Sequence, residues 1–122
     1  MPILDVQIVQ HDAATPRQGL ARALADVAAS IFRVPTARVW VRLSVLPRGY
    51  YAENGVASSE LPSPVFVTVL HAVLPEQSAL GAEAHDLCTA LATVIGCASE
   101  VVHIEYAPPG RGRMAFGGKL VQ

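Results

Sequence analysis

The sequence carries few charges. Only 16% of its 122 residues are charged and its formal net charge is −1, whereas soluble domains average about 25% charged residues. Nucleic-acid-binding domains carry a basic excess, so this charge balance argues against that class, and no nucleic-acid partner is expected. Because 52% of the residues are hydrophobic, a small monomer would expose apolar patches to water. We therefore expect an oligomer.

Cysteines and long apolar runs are also scarce. Cys88 and Cys97 form no CxxC pair and no disulfide framework, so we expect two reduced, buried thiols in a cytoplasmic protein. No apolar run reaches the roughly 18 residues that span a bilayer, and the chain does not begin like a signal peptide. We therefore expect no membrane partner. The spacing of the histidines fits no metal site, no glycine loop fits a phosphate, and no cofactor is expected.

The apolar residues that are present change period along the chain. Residues 2–9 alternate as a strand does. Pro16 then opens a stretch with one apolar face at helical spacing, which Pro35 ends. Residues 37–46 return to a period of two. The first part of the chain therefore predicts a strand, a helix and a second strand.

The same order recurs in the second half. Residues 64–73 are dense in β-branched side chains and predict a strand. A helix is predicted to begin at Pro75 and to end at Gly96, which is a suitable C-cap. Residues 100–107 alternate again and predict the last main strand.

A constant offset aligns the two halves without a gap, so that Leu24 falls on Leu87 and Ile31 falls on Val94. We therefore predict an α+β fold in which the whole chain is one domain. Two tandem β-α-β units, over 2–46 and 64–107, precede a tail over 108–122. Right-handed crossovers then give a four-stranded mixed sheet with both helices on one face. Other subunits are expected to cover the open face, and the tail is expected to add a short edge strand to its own sheet or a neighbour's.

These features resemble the tautomerase superfamily over nearly the whole chain. They are the proline after Met1, the paired β-α-β units, the length, and the segments MPILDV, RVPTARVWVR, PVFVTVLHAV and EVVHIEY. The layout is most similar to the long-chain members: macrophage migration inhibitory factor, 5-carboxymethyl-2-hydroxymuconate isomerase and malonate semialdehyde decarboxylase. The tail GRGRMAF is similar to the decarboxylase type. The resemblance implies a homotrimer with active sites at the subunit interfaces.

The resemblance also implies that Pro2 is catalytic once Met1 has been removed. An α-amino group has an ordinary pKa of about 7.7–8.0. Burial in an apolar pocket lowers the pKa of an amine further. Such an amine suits the removal of a proton next to a carbonyl group. The alternative is that Pro2 merely begins an edge strand.

Small carboxylates with a keto or enol group are the substrates that the resemblance implies, and a guanidinium pairs with a carboxylate through two hydrogen bonds. The candidate substrate-binding residues are Arg33, Arg38, Trp40, Arg42, His103, Arg111 and Arg113. The arginines have structural alternatives: a helix-end cation for Arg33, solvent exposure or interface salt bridges for Arg38 and Arg42, and a solvated, flexible tail for Arg111 and Arg113.

Glu105 shares a strand face with His103. It is either a second acid or base or the partner of Arg38 or Arg42 across a subunit interface. His71, at the end of the third predicted strand, is expected to be packed or hydrogen-bonded rather than catalytic.

The leading prediction of function is a keto–enol tautomerase that acts on a 2-hydroxydienoate or an arylpyruvate-like carboxylate, with Pro2 as the general base. Trp40, Tyr50, Tyr51 or Phe116 would supply apolar walls. One alternative is a hydratase or decarboxylase in which cationic Pro2 is the acid and Glu105 handles water. Another is a non-catalytic trimeric binding module. Decarboxylase and dehalogenase members carry arginines after the third strand, where this chain has HAVLP over 71–75, so tautomerisation is favoured.

Overall fold

The computed structural model describes residues 2–10 and 16–122. Met1, whose removal the catalytic prediction requires, lies outside the described residues. The main elements are β1 (Ile3–Gln10), α1 (Leu20–Phe32), β2 (Trp40–Pro47), β3 (Val65–Leu70), α2 (Gln77–Ile95) and β4 (Val102–Tyr106). Two short strands in the tail are β5 (Ala115–Phe116) and β6 (Lys119–Leu120).

The four long strands form one mixed sheet in the order β2-β1-β3-β4. The pairs β1–β2 and β3–β4 are parallel, and β1–β3 is antiparallel. Ile3 lies opposite Trp40 and Phe66 lies opposite His103, so the register repeats at the same offset that places Leu24 on Leu87. The predicted mixed sheet of two β-α-β units is confirmed.

The core lies between the sheet and the two helices, which pack on the same face. Alternate strand residues such as Val6 and Val67 are buried against Leu24 of α1 and Leu87 and Leu91 of α2. The opposite face of the sheet remains open to solvent. Its side chains include Asp5, Trp40, Arg42, Phe66, His103 and Glu105.

Both helices end in the same backbone conformation. Arg33 follows α1 with φ 56°, and its N–H bonds to the carbonyl of Ala29. Gly96 follows α2 with φ 88°, and its N–H bonds to the carbonyl of Ala92. The predicted glycine C-cap is therefore present, and the first unit places an arginine where this left-handed turn favours glycine.

Two elements of the first unit begin later than the sequence pattern indicates. α1 starts at Leu20 rather than near Pro16, because Gly19 adopts φ 82° and turns the chain into the helix. β2 starts at Trp40 rather than at residue 37, since Ala37 adopts φ 68°, which no strand residue does.

The third strand ends earlier than predicted, at Leu70 rather than residue 73. The carbonyl groups of His71 and Ala72 accept hydrogen bonds from the N–H groups of Gly110 and Arg111, at 2.8 and 3.0 Å. The tail therefore forms hydrogen bonds with the backbone carbonyl groups that a longer β3 would use for strand pairing.

The tail pairs with itself. β5 and β6 form a separate antiparallel two-stranded sheet, with Phe116 opposite Lys119. The expected addition of an edge strand to the four-stranded sheet is wrong within this chain. Across residues 2–10 and 16–122, no helix combines the length and apolar character needed to cross a membrane.

Candidate active site

Pro2 lies directly before β1 and is buried. Its carbonyl oxygen accepts the N–H of Trp40 at 3.1 Å, which joins it to β2. The alternative of an edge strand is wrong, because β1 lies between β2 and β3. Proline is tolerated at this first position because the missing donor falls before the strand ladder begins.

A cavity of about 340 Å³ opens at Pro2. The residues that line it are Pro2, Ile3, Ala37, Arg38, Trp40, Phe116 and Val121. Trp40 and Phe116 meet edge to face, with ring centroids 4.7 Å apart and an angle of 81° between the rings. An apolar lining of this kind disfavours a charged amine, and Arg38 is the one charged residue among the described residues of the lining.

Three parts of the chain build this cavity. The start of β1 supplies Pro2, and the turn before β2 supplies Arg38. In that turn Ala37 holds φ 68°, a conformation that costs a residue with a Cβ about 1 kcal/mol. The tail supplies Phe116 as the outer wall. The sequence indicates Pro2, Arg38, Trp40 and Phe116 but not Ile3, Ala37 and Val121, which carry no polar group that would mark them.

Two of the predicted arginines lie elsewhere. Arg42 pairs with Asp5 on the open face of the sheet, where Nε and Nη2 donate to the two carboxylate oxygens at 2.5 and 2.8 Å. The hydrogen bond to Asp5 and its charge raise the pKa of Arg42. Arg33 lies at the end of α1 and lines a different cavity of about 390 Å³ with Asp26 and Val34.

Arg111 and Arg113 lie in the turn where the tail begins, and both are exposed. The Arg113 N–H bonds to the carbonyl of Gly110 at 2.8 Å. These arginines therefore sit in an ordered turn, and their side chains are not among the residues that line the Pro2 cavity.

His103 and Glu105 lie on β4, two strands away from β1. With Phe66 they line a shallow cavity of about 240 Å³ on the open face. The ring of Phe66 lies between those of His103, at 5.5 Å, and Tyr51, at 5.9 Å. Within one chain these residues do not meet Pro2.

A buried polar cluster is the feature that sequence reasoning missed. His71 is 8% exposed, and its Nε2 lies 2.9 Å from Oε2 of Glu83. The Tyr106 hydroxyl donates to the same oxygen at 2.8 Å. Burial, followed by the hydrogen bond to Glu83, raises the pKa of Tyr106 well above its usual range. His71 is hydrogen-bonded as expected, but its partners were not foreseen.

Both cysteines are free, and both are half-buried rather than fully buried as predicted. The Cys88 thiol donates to the carbonyl of Ser99 at 3.2 Å, and burial raises the pKa of both Cys88 and Cys97. Neither thiol is therefore activated as a nucleophile. Among the residues that the structure describes, no group of three or more His, Cys, Asp or Glu side chains could hold a metal ion.

No family model and no curated protein matches the sequence. Among solved structures, a fused 4-OT described as a symmetric trimer is 18% identical, with a TM-score of 0.77 over 98% of this chain and 94% of the other. FG41 malonate semialdehyde decarboxylase is 16% identical, with a TM-score of 0.71 over 94% and 88%. Macrophage migration inhibitory factor from Oncomelania hupensis is 18% identical, with a TM-score of 0.75 over 100% and 83%. The chain therefore has the fold of the tautomerase superfamily.

Proposed function

We propose that this protein is a cofactor-independent keto–enol tautomerase for a small 2-hydroxydienoate or arylpyruvate-like carboxylate. The observation that carries the proposal is the placement of Pro2 in a largely apolar cavity whose one charged lining residue, among those that the structure describes, is Arg38. An amine base and an anion-binding cation are the two groups that enolisation of a keto acid needs.

In this mechanism Met1 is removed and the secondary amine of Pro2 is the base. The neutral nitrogen takes a proton from the substrate and returns it to another atom of the same conjugated system, so no net proton is gained or lost. Arg38 binds the substrate carboxylate. The apolar walls formed by Trp40, Phe116 and Val121 disfavour the charged form of the amine and keep it neutral at working pH.

We further propose that the protein is a homotrimer. Fused 4-OT structures of the same fold are described as symmetric and asymmetric trimers. The open face of the sheet exposes Trp40 by 51% and Phe66 by 38%, and contact with a second copy would bury both. In such an assembly the open-face residues Arg42, His103 and Glu105 would lie at the interface with a neighbouring subunit. The free thiols of Cys88 and Cys97 fit the proposed cytoplasmic location.

The alternative chemistry assigns Pro2 the role of a cationic acid, with Glu105 handling water. Glu105 lies two strands from Pro2 within the chain, so this mechanism requires the neighbouring subunit. The pH profile separates the two roles: activity of a base rises as pH increases through its pKa, whereas activity of an acid falls.

The test combines intact-mass measurement with an absorbance assay of enol-to-keto conversion. Wild type is expected to lack Met1, and Pro2→Ala is expected to reduce kcat/KM by about 10²- to 10⁴-fold. Pro64→Ala is the matched control, because Pro64 is also a buried proline whose carbonyl accepts a strand N–H, that of Val9 at 3.0 Å. It is expected to retain activity. Full activity in Pro2→Ala, or in protein that keeps Met1, would refute the role of Pro2.

A further inference from the structure

The polar cluster of His71, Glu83 and Tyr106 has no part in the proposed reaction. One carboxylate oxygen, Oε2 of Glu83 in α2, accepts bonds from the Tyr106 hydroxyl at 2.8 Å and from Nε2 of His71 at 2.9 Å. The two rings stack, with centroids 5.9 Å apart and an angle of 14° between them. Phe32 packs edge-on against His71 at 5.0 Å. Glu83 therefore ties the end of β3 and the end of β4 to one helix.

The first unit has apolar side chains at the equivalent positions. At the offset that places Leu24 on Leu87, the cluster corresponds to Ile8, Leu20 and Leu43. Ile8 and Leu20 are buried in the main core, and Leu43 packs against it. The β-α-β scaffold is therefore built without polar groups at these positions. Burying a carboxylate, an imidazole and a phenol costs free energy that only well-formed hydrogen bonds offset. The presence of these polar residues in the second unit therefore requires an explanation other than the stability of the scaffold.

The two units differ in the path of the chain beyond their last strand. In the first unit β2 continues past Leu43 to Pro47, whereas β4 ends at Tyr106 and the chain leaves the sheet. The tail then docks on the residue that belongs to the cluster: the N–H of Gly110 donates to the carbonyl of His71 at 2.8 Å. Glu83 thus holds both the residue from which the chain departs and the residue on which it docks.

The tail, which is bound to His71, also forms part of the wall of the Pro2 cavity. The Met114 N–H donates to the carbonyl of Gly110, and the Val121 N–H donates to the carbonyl of Met114, each at 2.8 Å. These bonds place Phe116 edge-on against Trp40. Phe116 and Val121 line the cavity together with Pro2. A continuous series of contacts therefore runs from the Glu83 carboxylate to the cavity wall.

We propose that Glu83 is a positioning residue that, through His71 and Tyr106, fixes the tail where Phe116 and Val121 wall the Pro2 cavity. Directional bonds fix the orientation of the two backbone segments, whereas apolar contacts alone leave them free to shift. The consequence for catalysis rests on the proposed function. The positioning itself does not, and it can be measured without substrate.

The chain has one tryptophan, so Trp40 fluorescence reports whether Phe116 is in place. Phe116→Ala supplies the reference signal for a missing wall. Glu83→Leu is expected to shift the emission to longer wavelength and to increase quenching by acrylamide, towards the values of that reference. Glu83→Gln retains an oxygen that can accept both bonds and is expected to behave as wild type. Gel filtration confirms that the compared samples have the same oligomeric state, because Trp40 lies on the open face.

Glu83→Leu leaves two polar groups unpaired and can unfold the protein. The triple variant His71→Ile, Glu83→Leu, Tyr106→Leu avoids this, since it transfers the apolar set of the first unit into the second. It is expected to fold with a urea midpoint at or above that of wild type, yet to show the fluorescence of a loosened tail. Wild-type fluorescence in either variant overturns the proposal.

The effect on the reaction is measured separately. Glu83→Leu is expected to reduce kcat/KM by about 10- to 100-fold because the cavity wall is misplaced, and Glu83→Gln is expected to restore it. A fluorescence change with unchanged kcat/KM overturns the catalytic consequence. Absence of tautomerase activity in wild type refutes the proposed function, while the fluorescence comparison still decides whether Glu83 positions the tail.

Discussion

The two β-α-β units of this chain share a backbone and differ at the position that Pro2 occupies in the first of them. In both units the strands pair in the same register, and the helices end at equivalent positions, Phe32 and Ile95. The first unit begins at Pro2, which opens onto a cavity. The equivalent residue of the second unit, Val65, is buried in the core. Since Val65 lies well inside the chain, its nitrogen stays an amide, and only the first unit would present an amine base once Met1 has been removed as proposed.

The open face also differs between the units. In the first unit Asp5 lies opposite Arg42 and forms two hydrogen bonds with it. In the second unit the equivalent pair is Thr68 opposite Glu105, and a threonine does not neutralise a carboxylate. A repeated backbone therefore carries two charge patterns, which supports a different role for each edge of the sheet in assembly.

The largest expected effect comes from substitutions in the core, which test whether the two units are packed equally well. Leu24 and Leu87 are both fully buried, one in each helix. Leu24→Ala and Leu87→Ala are each expected to lower the free energy of unfolding by about 2–5 kcal/mol, through lost burial and the cavity that remains. Urea unfolding at one fixed protein concentration measures both. The two units are not equivalent in packing if one substitution costs several times as much as the other.

Removal of the cavity cation is expected to have the next largest effect. Arg38 lines the Pro2 cavity, whereas its counterpart in the second unit is Val101. Arg38→Ala is expected to raise KM about 10- to 100-fold, since a hydrogen bond to a charged group contributes about 1.5–3 kcal/mol. Arg22→Ala is the control, because Arg22 is an exposed helix residue paired only loosely with Asp26 at 3.9 Å. Equal KM values in the two variants would contradict this assignment.

The helix ends are expected to respond in opposite directions. Gly96→Ala places a Cβ at φ 88°, with no heavy atom within 4 Å to oppose it, and is expected to lower the free energy of unfolding by about 1 kcal/mol. Arg33→Gly relieves the same strain at φ 56° and is expected to raise it by about 0.5 kcal/mol, since glycine also loses more entropy on folding. Thermal unfolding of both variants measures whether the free energy of unfolding falls or rises relative to wild type. A loss of stability in Arg33→Gly would show that its side chain contributes packing.

Another small effect is expected at alkaline pH. Folding raises the pKa of Tyr106 above its ordinary value of about 10, so the folded state holds the phenol proton more tightly. The stability that this contributes is present below pH 10 and is lost as pH rises. Between pH 7 and pH 10.5 the loss of unfolding free energy is at most about 0.8 kcal/mol, because pH 10.5 is only slightly above the ordinary pKa of tyrosine. Partial exposure to solvent lowers it further. Tyr106→Phe is expected to lose less unfolding free energy between the two pH values, because it has no phenol to titrate. Leu43, the first-unit counterpart of Tyr106, cannot titrate either.

Urea unfolding at pH 7 and pH 10.5 measures this difference. The pH dependence of Tyr51→Phe is compared with that of Tyr106→Phe, because the hydrogen bond to Glu53 raises the pKa of Tyr51 as well. Identical pH dependence in wild type and Tyr106→Phe would show that Tyr106 titrates as it does in the unfolded chain.

The sheet and both helices follow from the sequence because their apolar periods are strong and occur twice. Element boundaries are less visible. β3 stops at Leu70 because Gly110 and Arg111 compete for the next carbonyl groups, a contact between segments far apart in the chain. α1 starts at Leu20 because of the conformation of Gly19, which the spacing of apolar residues does not encode.

The candidate site divides in the same way. The sequence by itself determined that the chain contains two β-α-β units and that a proline stands at the start of the first, because period and position are properties of a linear string. Only the tertiary structure decided that Arg38, rather than Arg33 or Arg42, lines the cavity with Pro2. It also brought together His71, Glu83 and Tyr106. Partnership of this kind depends on which segments fold against each other, and side chains distant along the chain carry no local signal of it.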